Sequence, residues 1–227
     1  MSDYVIPDFE RQELEISNAI SQLKRHGLNI NLSAEIQNKI QAHILFDGDD
    51  ALFKELLKDT NIYFEYGCGK STEFVFKHTK ASIYAVDTSL EWVKKLEGLT
   101  NTDASGRLNL NWIDVGRVAD WGTPTSFERR ANFKVYAEFM WLKEISPDLV
   151  LIDGRFRVFC FLTTVKLAPV GTKILFDDYI NRPLYHVVEE FCEKIETCGR
   201  QALFEVSQSA KKKVTDETLT TFQNVID

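Results

Sequence analysis

The stretch Phe64-Glu65-Tyr66-Gly67-Cys68-Gly69-Lys70-Ser71-Thr72-Glu73-Phe74 (FEYGCGKSTEF) decides how this chain is read. It follows the short apolar run Ile62-Tyr63-Phe64 and leads into helical spacing up to His78, so a glycine turn joins a strand to a helix. Its ending, Gly69-Lys70-Ser71-Thr72, is that of a phosphate loop. A loop that wraps a triphosphate needs GxxxxGK[ST], whose early glycine lets the backbone curl around the phosphate. Counting back from Gly69, that position is Phe64, inside the strand. The turn is too short for the task. A dinucleotide turn, GxGxxG, is met by Gly67 and Gly69 but has Thr72 at its third glycine. Glu65 would also set a negative charge beside the pyrophosphate.

A third ligand suits the same residues. S-adenosylmethionine has no phosphate and carries a cationic amino group and a sulfonium, so a carboxylate beside the turn is useful. Glycines let the backbone approach without a Cβ in the way. Glu65, Gly67, Gly69, Ser71 and Thr72 form the [ED]xGxGx[ST] arrangement that this ligand needs. Asp87, ending the strand Ser82–Val86, is placed to accept the ribose hydroxyls, and Asp114, after the strand Leu108–Ile113, to take the adenine amine.

Outward from the turn, strands and helices alternate. Helices are expected at Leu90–Leu99, Phe127–Ile145, Arg155–Leu167 and Pro183–Ile195, with strands at Leu149–Ile152 and Lys173–Phe176. The unbroken apolar run Leu149-Val150-Leu151-Ile152 predicts a strand buried on both faces. Ala202–Val206 and Leu219–Val225 are expected to form an antiparallel hairpin at the sheet's end. Residues 1–59 read as a helical extension: a stripe of Leu14, Ile16, Ala19, Ile20 and Leu23, a second helix capped by Ser33 with Ile36, Ile40 and Ile44, and a short third helix from Ala51 to Lys58. The expected fold is a doubly wound, mostly parallel α/β sheet of seven strands over residues 60–227, with that extension covering the cofactor site or forming a homodimer contact.

Composition limits the partners. The 227 residues carry a net charge of -7, which argues against bulk nucleic-acid binding, and Lys211-Lys212-Lys213 reads as a solvated turn. No export signal is visible in the acidic, polar start, and the apolar region Phe156–Phe176 is too interrupted to span a membrane. Cys68, Cys160, Cys192 and Cys198 show no metal or disulfide spacing, so a reducing, cytoplasmic setting is expected.

Residues from about Asn61 onward resemble the class I S-adenosylmethionine-dependent methyltransferases. The likeness rests on the acidic-glycine turn, the Asp87 strand end, the strand-ending LIDG (Leu151–Gly154) and LFDDY (Leu175–Tyr179), and the terminal strand pair. Amino-methylating branches carry [DN]PP[YF] after the fourth strand, where this chain has Asp153-Gly154-Arg155-Phe156; that disfavours a nitrogen acceptor. Asp153, Asp177 and Asp178 are similar to the trio of metal-dependent catechol-type O-methyltransferases, which implies a magnesium site there, although Arg155 and Arg157 stand close enough to neutralise it. The expected reaction is O-methylation of a small or sugar-like, anionic acceptor, with Asp153, Asp178 and Arg155 at the chemistry. Arg155 and Arg157 would clamp the acceptor's anion, although cations are disfavoured at a helix start. His186 reads as a surface residue, and Trp121 as a pocket wall. The competing readings are a nicotinamide oxidoreductase and a silent methyltransferase-fold protein that binds a ligand or a partner.

Overall fold

The computed structural model describes residues 49–227 throughout, and before them 16, 19–20, 23, 27–28, 31–37 and 45–46. Leu14, Ile40 and Ile44 of the expected extension lie outside the described residues. Ser33 does begin a helical turn: its Oγ accepts the Ile36 N–H at 3.4 Å and its carbonyl the Gln37 N–H at 2.9 Å.

From Ala51 the order is α1 (Ala51–Leu57), β1 (Ile62–Tyr66), α2 (Lys70–His78), β2 (Ser82–Asp87), α3 (Leu90–Thr102), β3 (Leu108–Trp112) and α4 (Ala131–Glu138). There follow β4 (Leu149–Ile152), α5 (Arg157–Leu167), β5 (Lys173–Phe176), β6 (Lys194–Cys198), β7 (Gln201–Glu205), α6 (Gln208–Lys213) and α7 (Asp216–Phe222). One seven-stranded sheet results, in the order β3-β2-β1-β4-β5-β7-β6. β7 alone runs against its neighbours, pairing antiparallel with β5 and with β6.

Alternate strand residues feed two cores. Phe64, Tyr66, Val150, Ile152, Ile174 and Phe176 face α4 and α5. Tyr63, Leu149, Leu151 and Leu175 face α1 and α2 instead. Each such fully buried side chain contributes about 1.5–3 kcal/mol. All four residues of β4 are buried, as its unbroken apolar run requires. No helix of the described residues is long and apolar enough to cross a membrane.

The C-terminal hairpin exists, but its strands are β6 and β7. Leu219–Val225 is not a strand, because Thr215 caps α7: its Oγ1 accepts the Thr218 N–H at 3.1 Å, and Asp216 and Glu217 fill the first turn. The expected helix Pro183–Ile195 shrinks to a 3-10 stretch, Pro183–Glu190, before β6 begins. The expected helix Phe127–Ile145 splits into α4 and the 3-10 turn Trp141–Lys143, where Glu144 turns left-handed at φ 54°.

The sheet's winding reverses between β1 and β4, and there the carboxyl ends of adjacent strands open a crevice. Tyr66 sits opposite Ile152, and Ile152 opposite Phe176, so the chain leaves β1, β4 and β5 through Gly67, Asp153 and Asp177 in one row.

Candidate functional site

The turn after β1 is fixed by its backbone. Gly67 donates to the Val86 carbonyl at 2.8 Å and holds φ 89°, a left-handed value that favours glycine. A Cβ there would come within 2.6 Å of the Gly154 Cα. Two glycines therefore let the β1 and β4 ends touch, and no other residue pair fits. Glu65 lies beneath the turn, fully buried. It accepts the Ser71 hydroxyl, and the Thr72 hydroxyl at 2.5 Å, while Thr72 Oγ1 takes the Gly69 N–H at 2.9 Å. Burial pushes the Glu65 carboxyl up to about 7, against the pull of those two hydroxyl donors. Its work is to brace the turn from below. It does not line the crevice.

The crevice itself is a cavity of about 510 Å³ over Gly67, Cys68, Gly69 and Asp87. Asp87 accepts the Cys68 N–H at 2.8 Å on one oxygen and the Ser89 N–H at 2.6 Å on the other. These fix the carboxylate at the cavity wall with further lone pairs to spare. Burial raises its pKa, opposed by the two N–H donors. Trp121 and Trp92 stack with centroids 6.1 Å apart and wall the cavity beyond Thr88. Asp114 lies elsewhere. It pairs with Arg129 and forms no part of the wall, so the structure does not bring it to the other site residues.

Beyond β4 and β5 the wall changes character. Asp153, Asp177 and Asp178 bring carboxylate oxygens within 4.8 Å of one another, which is the grouping a divalent ion requires. Guanidinium groups already hold them. Arg157 reaches Asp153 at 3.1 Å and Asp178 at 3.0 Å, while Arg200 grips Asp177 at 2.6 and 3.1 Å and Asp178 at 3.2 Å. Arg182 adds a third contact to Asp178 at 3.1 Å. Three acids meet three arginines, so the cluster is balanced in formal charge. A magnesium ion would have to displace guanidinium from fully buried Asp177, and the expected metal centre does not fit this donor set.

The same cluster explains the arginine at a helix start. Arg157 opens α5, but its side chain folds back, donating also to the Gly154 carbonyl at 2.9 Å and the Asp177 carbonyl at 2.7 Å. Its charge belongs to the aspartates, not to the dipole, and it is not the anion clamp expected of it. Asp178 is held at φ 57°, a strained value for a residue with a Cβ. Asp153 faces the cavity, and burial together with the adjoining Asp177 raises its pKa well above the usual range, partly offset by Arg157. Arg155 also lines the cavity, its Nη1 donating to Thr123 Oγ1 at 3.3 Å and to the Asp227 carbonyl at 2.8 Å. His186 rests its ring on Tyr179 at 4.6 Å and stands off the wall.

Lys70, Trp92, Arg182 and Arg200 reach the wall without having been singled out in the sequence. Arg182 carried a signal, four residues after Asp178. Arg200 sits in the tight turn between β6 and β7, which only a correct hairpin assignment would have exposed.

No family model matches this chain, and no curated protein matches it significantly. Solved structures do. A methyltransferase-like protein from Silicibacter pomeroyi is 29% identical over 74% of this chain and 92% of its own, with a TM-score of 0.65. An O-methyltransferase from Bacillus cereus in complex with S-adenosylhomocysteine is 12% identical over 86% of this chain and 100% of its own, with a TM-score of 0.48. An S-adenosylhomocysteine-bound methyltransferase from Podospora anserina is 14% identical over 89% of each chain, with a TM-score of 0.46. The last two are too distant to add weight. The sheet with its one reversed strand and the likeness to the Silicibacter protein show that this chain has the Rossmann-like methyltransferase fold.

Proposed function

We propose that this protein is an S-adenosylmethionine-dependent methyltransferase acting on a hydroxyl oxygen of a small or sugar-like acceptor. The observation that carries the reading is the contact of Gly67 with Gly154 beneath a cavity walled by Asp87. The bare backbone of the turn would hold the cofactor, with the Asp87 carboxylate accepting its ribose hydroxyls. Bound there, S-adenosylmethionine supplies an already activated methyl group.

The chain's remaining tasks are to orient the acceptor and to take its proton. Asp153 suits the second, since it faces the cavity and its raised pKa favours the protonated product. Asp178, clamped by three arginines, fixes the frame on which Asp153 stands. Oxygen is preferred over nitrogen as acceptor because Asp153-Gly154-Arg155-Phe156 lacks the paired prolines of amino-methylating branches. The Arg157–Asp153 pair favours a second reading, a protein that binds the cofactor but turns nothing over, its base held in an ion pair.

Calorimetric titration with S-adenosylmethionine and S-adenosylhomocysteine, with NAD and ATP as controls, tests the cofactor. Micromolar binding of the adenosyl pair alone is expected, and Asp87→Ala should weaken it by about 1–3 kcal/mol through the lost ribose hydrogen bonds. Binding of NAD or ATP in their place would sink the reading.

A further inference from the structure

The whole chain is acidic, with 27 lysines and arginines against 34 aspartates and glutamates. The cavity wall reverses that sign. Lys70, Arg155, Arg157, Arg182 and Arg200 line it, against Asp87, Asp153 and Asp178. Arg157, Arg182 and Arg200 are matched by Asp153, Asp177 and Asp178, which leaves Asp87, with Asp227 behind the wall, to face Lys70 and Arg155, a balance in formal charge before any ligand enters. Lys70 makes no ion pair among the described residues, while Arg155 meets the main-chain oxygen of Asp227, whose buried carboxylate also feels its charge. The proposed cofactor, with sulfonium, ammonium and carboxylate, would add one more positive charge. An acceptor without negative charge would leave the cofactor's charge uncompensated inside a partly enclosed space, where charge is costly.

The position of the arginines indicates which part of the wall takes the compensating charge. Lys70 belongs to the turn after β1, on the cofactor side. Arg155 follows β4 and Arg182 follows β5, the two strand ends beside the proposed base. Arg155 bonds Thr123 Oγ1 and the main-chain oxygen of Asp227, and its Nε is buried with no acceptor. Asp227, whose charge Arg155 also feels, turns its Oδ2 to the Arg157 N–H at 2.9 Å. Arg182 stands half-exposed at the rim, where one guanidinium nitrogen meets Asp178 and another the Tyr185 hydroxyl at 3.2 Å, leaving donors of its five free. A guanidinium fork matches a carboxylate or a phosphate by geometry as well as by charge.

We propose that the methyl acceptor carries an oxyanion, a carboxylate or a phosphate, and that Arg155 and Arg182 hold it while the hydroxyl meets Asp153. The proposal rests on the methyltransferase reading for the word acceptor, but the anion site stands on the wall's own charges. The test is a calorimetric titration of the purified protein with malonate and, separately, with inorganic phosphate, both with and without saturating S-adenosylhomocysteine. Arg155→Gln, Arg182→Gln and, as a surface control, Arg130→Gln are titrated alongside. Saturable binding of at least one anion is expected, weakened tenfold or more in Arg155→Gln and in Arg182→Gln and unchanged in the control. Affinity for S-adenosylhomocysteine should stay within threefold in all three variants. The stronger of the two anions identifies the oxyanion. No saturable binding, or binding indifferent to both arginines, overturns the proposal. Loss in Arg182→Gln alone removes Arg155 from the clamp. If S-adenosylhomocysteine fails to bind, the methyltransferase reading falls, and the titration without it still decides the anion site.

Discussion

The two halves of the cavity wall are built by different physics. On the β1–β2 side the turn is held by backbone geometry and neutral donors: two glycines in contact, Glu65 beneath two hydroxyls, and Asp87 accepting two N–H groups. On the β4–β5 side three carboxylates and three guanidinium groups lock one another. The first half would contact a ligand with the main chain of its turn and the fixed Asp87 carboxylate, so shape would select what binds. The second half would contact a ligand with charge, so the sign of the partner matters more than its outline. Under the proposed function the first half would serve the cofactor and the second the acceptor.

The sharpest way to break the charged half is Asp177→Ala. Asp177 is fully buried, and its loss strands Arg200 without its bidentate partner and leaves Arg157 short of a neighbouring charge. Removing one member of a buried pair costs about 3–5 kcal/mol. Urea denaturation should show that loss, and a change under about 1 kcal/mol would mean that water reaches the cluster. In the geometric half, Gly67→Ala forces a left-handed backbone on a residue with a Cβ and drives that Cβ against Gly154. A stability loss on the order of 3 kcal/mol is expected, with S-adenosylhomocysteine binding abolished in calorimetry. Retained binding would show that the two strand ends can part without consequence.

Burial of carboxyl groups makes the turn's half sensitive to pH as well. Glu65 rises from an ordinary 4.5 to about 7 in the fold because it is buried. Between those values the folded state holds a proton that the unfolded chain has released. Its contribution to stability is therefore complete below about 4.5 and is lost as pH rises to about 7, by roughly 3 kcal/mol. Asp87 and Asp153 shift in the same direction, so the total slope is shared among them. The difference between wild type and Glu65→Gln isolates one group: the variant's denaturation midpoint should fall less across that window. Parallel curves would show that Glu65 stays ionised beneath the turn.

Legibility in the sequence follows the same division. Glu65, Gly67, Gly69, Ser71 and Thr72 lie within eight residues, so their joint geometry is local and the turn was readable directly. The central strands were readable too, since burial on both faces leaves an unbroken apolar run. β6 was not, because it is a sheet edge whose Lys194-Ile195-Glu196-Thr197 alternates with exposure and includes a register shift. Leu219–Val225 misled in the other direction: threonines suit a strand, but Thr215 with Asp216 and Glu217 is a helix start, and the cap decided it. The ion-pair cluster was the least visible, because Asp177 meets Arg200 across 23 residues and only the fold brings them together.

The smallest expected effect is the most discriminating one for the acidic trio. Asp153, Asp177 and Asp178 were expected to hold magnesium, and their oxygens do lie close enough together. A divalent ion gains from carboxylates only what it recovers after shedding water, and magnesium sheds water reluctantly. Here it would also have to expel Arg157 and Arg200 and bury their unpaired charges, at several kcal/mol each. Millimolar EDTA or magnesium should therefore leave the thermal midpoint and the affinity for S-adenosylhomocysteine where they were, and manganese titrated into the protein should release no heat of binding. Arg157→Ala sharpens the point, since it strips Asp153 of its ion-pair partner and leaves Asp178 to Arg182 and Arg200 beside the space that the guanidinium filled. That variant should gain measurable manganese affinity. Stoichiometric manganese binding by the wild type would mean that the arginines yield their place to a metal, and that both halves of the wall would need to be read again.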